Sequence, residues 1–150
     1  MVHHQQIRLS YRQYQQQINQ LAMGLLSLGV KPGDRVGIWS PNNIEWCLTQ
    51  FATAKIGAIM VCINPAYRPS ELKYALNSVE CSTLITASEF KASNYISMLN
   101  ELAPELKDSQ AGELNLNALP HLKNIIRIGD EPATGMFSFS DIMQRATDAH

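Results

Sequence analysis

Apolar residues recur along this chain with two periods, and the switch between them marks the elements. Ser10 followed by Gln13 has the spacing of a capping box, a mutual hydrogen-bonded start for a helix. Tyr14, Ile18, Leu21, Leu25 and Leu28 follow at helical spacing, and Gly29 ends the run. Glutamines at 13, 15, 16, 17 and 20 fall mostly on the wet face. After a Lys-Pro-Gly-Asp turn at 31–34, a short apolar strand is expected over 36–39. Asn42 or Asn43 can cap a second helix, with Glu45 in its first turn where the dipole favours an anion. Cys47, Phe51, Ala54 and Ala58 trace its expected buried stripe.

Residues 58–63 (AIMVCI) form an unbroken apolar run, which predicts a strand covered on both faces. Pro65 breaks it, and Pro69 suits the first turn of a helix with Leu72, Ala75, Leu76 and Val79 on one side. A third strand is expected at 83–86 (TLIT). Tyr95, Leu99, Leu102 and Leu106 mark another helix. Residues 108–120 read as a polar, turn-rich loop, 124–128 (NIIRI) as a fourth strand and 140–147 as a last short helix. Helix and strand thus alternate throughout. That order predicts an α/β fold: one parallel sheet with helices on both faces, joined by right-handed crossovers.

Composition narrows the function classes. A length of 150 residues with 45% apolar and 17% charged residues fits one globular domain with a real core. The net charge of −1 gives no basic field to attract nucleic acid. Residues 1–75 carry seven Lys/Arg against three Asp/Glu and residues 76–150 five against ten, a split that solvated helix faces explain. Cys47, Cys62 and Cys81 form no C-x-x-C pair and are expected as reduced core thiols. No apolar run has the length of a membrane span, and the first residues do not resemble a secretory signal, so the expected location is the cytoplasm.

The search for chemistry mostly excludes it. The stretch RVGIWSPNNIEW at 35–46 reads as strand, turn and helix, the setting of a phosphate cradle. Its turn has no glycine, however, and Pro41 lacks an amide hydrogen, so the cage of backbone donors is missing. Capping is the expected role of Asn42 or Asn43. No Walker loop and no G-x-S-x-G elbow occurs. The pairs His3/His4, Glu80/Glu89 and Asp130/Glu131 read as solvated groups, and His121 as a surface histidine. No metal-ligand spacing is present.

The order of segments nevertheless resembles a family. Leu9-Ser10-Tyr11 before a long helix, Gly29 to Val36 (GVKPGDRV), Pro41-Asn42 closing a strand, and the block FATAKIGAIMVCINPAYRPSELKYALN at 51–77 are similar to the opening of the adenylate-forming superfamily. The wording Asn64-Pro65-Ala66-Tyr67-Arg68 is most similar to its fatty acyl-CoA synthetase branch, with medium-chain enzymes among them. The resemblance covers residues 5–150. It implies that residues 1–150 form a single N-terminal subdomain of a ligase that joins a fatty acid to CoA through an acyl-adenylate. ATP, Mg²⁺ and CoA are the cofactors it implies for the intact enzyme.

The resemblance also implies which parts are lacking. The family's phosphate loop, magnesium acid, ribose aspartate and late lysine have no counterpart here, so none of these ligands is expected to bind the chain tightly and no activity is expected from it alone. No catalytic or metal-binding residue is assigned. Arg68 and Lys91 occupy places where basic residues of some relatives approach the CoA phosphates, although capping or packing at a helix start for Arg68 and solvation for Lys91 are the simpler explanations. The implied partners are the remaining subdomains and, in the intact enzyme, a fatty acid. One rival reading is a non-catalytic α/β module that binds CoA or a protein. Another, an unrelated nucleotide-dependent oxidoreductase, lacks the glycine fingerprint. Chain-length preference and oligomeric state have no signature in these residues.

Overall fold

A computed structural model describes residues 10–41, 43–90, 93–129 and 133–148. Helix α1 (Tyr11–Ser27) starts at the expected capping box: Ser10 Oγ accepts from the Gln13 amide at 3.1 Å, and Gln13 Oε1 accepts from the Ser10 amide at 2.9 Å. Strand β1 (Arg35–Trp39) leads to α2 (Ile44–Ile56), β2 (Ile59–Ile63), α3 (Pro69–Ser78) and β3 (Thr83–Thr86). The chain then forms β4 (Glu89–Phe90), β5 (Ser93–Asn94), α4 (Tyr95–Leu102), a 3-10 turn (Pro104–Asp108), β6 (Asn124–Arg127), β7 (Phe137–Ser138) and α5 (Phe139–Asp148).

Five strands make one parallel sheet in the order β2-β1-β3-β6-β7, and β4 pairs with β5 as a small antiparallel ribbon. The expected parallel sheet with helices on both faces is therefore present. Alternate residues of β1 divide between the faces, as the pleat requires. Val36 and Ile38 meet Ile18, Leu21 and Leu25 of α1, Leu48 and Ala52 of α2 and Ile142 of α5 in one cluster. Trp39 faces the other cluster, with Leu72 and Leu76 of α3 and Tyr95, Met98 and Leu99 of α4.

Several expectations need correction. The run at 58–63 is not covered on both faces. β2 is an edge strand with β1 alone beside it, Ile59 is 49% exposed, and Cys62 is exposed too. Of the three cysteines only Cys81 is a buried core thiol, while Cys47 is half-buried. The buried stripe of α2 is Ile44, Leu48, Thr49, Ala52 and Thr53; Phe51 is half exposed and Ala54 exposed.

The threonines explain this shift. Thr49 Oγ1 donates to Glu45 O and Thr53 Oγ1 to Thr49 O, both at 2.7 Å, so these hydroxyls enter the core already satisfied. Phe51 instead packs edge-on against Tyr14 at 6.0 Å on the rim.

Helix α4 stops at Leu102 because Pro104 cannot continue it, and Leu106 is buried from the following 3-10 turn. The stretch 108–120 has no regular element, yet Leu114, Leu116 and Leu119 are buried. The loop is therefore a lid of core leucines on a polar backbone. Strands β4, β5 and β7, two residues each, are too short to leave a periodic signal.

Candidate functional site

In an open parallel sheet the ligand crevice lies outside the carboxyl ends of the strands, where the strand order reverses. Here the order reverses between β1 and β3. At the end of β1, Ser40 is buried and its Oγ accepts from Asn43 Nδ2 and donates to Pro41 O, both at 2.8 Å. Asn43 is the N-cap of α2, its Oδ1 accepting from the Trp46 amide at 2.8 Å, while Asn42 lies outside the described residues. The Trp46 amide is thus taken up by the cap.

Beyond β3, the Thr86 hydroxyl donates to Ala87 O at 2.9 Å, and Arg127 Nε at the end of β6 donates to Ser88 Oγ at 2.8 Å. No buried side-chain polar atom among the described residues lacks a partner. The described residues hold no group of three or more His, Cys, Asp or Glu that could ligate a metal. Among the described residues, the polar side chains at this crevice bond to one another or to nearby backbone and form no metal-ligand group.

One neighbouring loop is ordered by an aromatic pair. Trp39 and Tyr95 are fully buried and stack with centroids 4.0 Å apart and planes 13° from parallel. Burial pushes the Tyr95 phenol above its ordinary value, so the hydroxyl keeps its proton and donates to Pro65 O. Asn64 fixes the turn after β2, its Oδ1 accepting from the Ala66 amide at 2.9 Å. Tyr67 is half-buried against the core.

Arg68 is the exposed N-cap of α3, and its amide donates to Glu71 Oε1 at 3.2 Å. Lys91 lies outside the described residues. His3, His4, Asp130 and Glu131 lie outside them too. His121 is exposed, in keeping with a surface histidine. The apolar spacing placed Trp39 at the end of a strand and Tyr95 on a helix, but nothing local shows that they meet.

A family model described as AMP-binding enzyme matches residues 1–134. The chain belongs to the AMP-binding enzyme family. The mitochondrial medium-chain acyl-CoA ligase ACSF2 of Danio rerio is 40% identical over 144 residues, covering 96% of this chain and 24% of that protein. A putative acyl-CoA synthetase of Bacillus subtilis, YngI, is 38% identical over 146 residues, covering 95% and 27%. Among solved structures, the anthranilate CoA ligase AuaEII in complex with anthranoyl-AMP superposes with a TM-score of 0.75 at 28% identity, over 91% of this chain and 23% of that one.

Acetoacetyl-CoA synthetase of Streptomyces lividans shares the fold at a TM-score of 0.75 and 23% identity, over 91% of this chain and 20% of that one. The chain spans about a quarter of the length of the curated relatives it matches. Among the described residues no helix is long and apolar enough to cross a membrane.

Proposed function

We propose that this chain is the first α/β block, an N-terminal subdomain, of an ATP-dependent fatty acyl-CoA synthetase. In the intact enzyme the fatty acid carboxylate would attack the α-phosphate of ATP and expel pyrophosphate, and the CoA thiol would then attack the acyl carbon of the acyl-adenylate, lose its proton and release AMP. ATP, Mg²⁺ and CoA would be held mainly by parts outside these 150 residues. The reading is carried by one observation: a family match over residues 1–134 in a chain that spans only about a quarter of the acyl-CoA ligases it resembles. Its role is then to be a platform on which the catalytic parts pack. Substitution of this chain for the matching quarter of the Danio rerio ligase should give a chimera that forms acyl-CoA. The chain alone should give no ATP–pyrophosphate exchange. Exchange by the chain alone, or a folded but inactive chimera, would overturn the proposal.

Calorimetry of the isolated chain with CoA and with AMP separates the platform from a free-standing binding module, since only the module releases heat. Arg68 and Lys91 remain our proposed contacts to the CoA phosphates. Arg68→Glu with Lys91→Glu in the chimera should weaken CoA without affecting pyrophosphate exchange, and unchanged CoA affinity removes both residues from the site. We place the intact enzyme in the cytoplasm. Cell fractionation that finds it in mitochondria, the location named for the ACSF2 relatives, would reverse that.

A further inference from the structure

Trp39 and Tyr95 each carry one polar atom, and both atoms go to the same turn. Trp39 Nε1 donates to Asn64 O at 3.1 Å, and Tyr95 Oη to Pro65 O at 2.5 Å. These are successive carbonyls of the turn between β2 and α3, which ends at Arg68. The turn's own bonds are short-range: Ala66 N to Asn64 Oδ1 at 2.9 Å and Tyr67 N to Asn64 O at 3.1 Å. Asn64 O therefore accepts twice, once from its own turn and once from the indole. The same two aromatic residues are anchored to the end of β3. The Tyr95 amide donates to Ser88 O at 3.0 Å, and Trp39 O accepts from the Ala87 amide at 3.0 Å.

We propose that the Trp39–Tyr95 stack is a clamp that couples the 64–68 turn to Ala87 and Ser88 after β3 and to the start of α4, with both aromatics as positioning residues. The physical basis is the lack of a cheaper way to move either part. Sliding the turn alone would strand a buried indole N–H and a buried phenol O–H, each costly to leave unpaired. Separating the rings would also open a void between two large buried side chains. A displacement at the Arg68 end of the turn is therefore passed to the start of α4, and the reverse. The inference stands on this geometry alone and does not depend on Arg68 touching any ligand.

Amide hydrogen exchange of the ¹⁵N-labelled 150-residue chain tests it. In the unsubstituted chain, the amides of Ala66, Tyr67 and Tyr95 should share one opening free energy and one denaturant slope. In Tyr95→Phe, all three should exchange about tenfold faster, the factor expected for one lost buried hydrogen bond. The Leu21 and Leu25 amides in α1 should stay unchanged. Trp39→Phe, which keeps a ring and removes the donor, should act on the same three amides. Separate opening energies in the unsubstituted chain overturn the coupling. So does acceleration at Ala66 and Tyr67 without Tyr95, or an equal change at every amide. A CoA experiment that fails for Arg68 leaves this result untouched.

Discussion

Cys81 shows how a single residue's environment sets its chemistry. Its side chain is buried beside Gly37, where even an added Cβ would sit 3.1 Å from the sulfur. Burial pushes the thiol up from 9.0 to about 11. The folded chain thus holds this proton more tightly than the unfolded chain does. The resulting stability is whole below pH 9 and is lost as pH rises toward 11. Tyr95, raised by the same cause, adds to the loss. Urea midpoints measured from pH 8 to 11 should fall, and Cys81→Val should flatten part of that fall. Exposure orders the thiols differently from composition: iodoacetamide followed by mass spectrometry should label Cys62 first, Cys47 next and Cys81 on unfolding. The sequence shows three isolated cysteines in apolar company. Which of them meets water depends on where the strand carrying Cys62 lies in the sheet.

Among the elements, the crossing of α1 and α5 depends on one glycine. A Cβ built on Gly24 would stand 2.4 Å from Ile142 O and 2.5 Å from Ile142 Cγ2. One of these atoms is backbone, so α5 as a whole would have to shift. Gly24→Ala raises helix propensity by up to about 1 kcal/mol but overpacks the contact by about 1–3 kcal/mol or more. The steric term should win. The expected outcome is a lower urea midpoint, with tryptic cleavage at Arg145 in α5 accelerated; a midpoint at or above that of the unsubstituted chain would show that the helices adjust freely. Periodicity located α1 and α5 well, because caps and apolar spacing are local. It could not read Gly24 as a contact, since its partner lies more than a hundred residues away. The same limit explains α2, whose even distribution of apolar residues and threonines left its buried stripe to be chosen by neighbours.

At the scale of the molecule, the most open feature is the β2 edge. Five residues, IMVCI, include no charge and no proline, and both Ile59 and Cys62 face solvent. Such an edge offers unpaired backbone groups to other strands. An apolar groove of about 520 Å³ lies near the same end, lined by Ala22, Met23, Leu26, Pro32 and Ile56. The isolated chain is therefore expected to self-associate and to bind apolar dyes. Cys62→Lys, a charge on an exposed edge position, should reduce light scattering with little change in the unfolding midpoint. A chain that is monomeric and dye-silent without the substitution would count against the platform reading.

By itself the sequence determined the longer elements, their alternation, the cap at Ser10 and hence the α/β class. These depend on hydrogen bonds and spacings that close within a few residues. Its ordered motifs also carried the family resemblance. Only the tertiary structure decided that β2 is an edge, that Leu114, Leu116 and Leu119 cap the core from a polar loop, and that Trp39 meets Tyr95. It also decided that Asn43 is the cap of α2. The reason is physical: strand order and ring stacking join residues far apart in the chain, and no local pattern encodes which distant partner will satisfy a given surface.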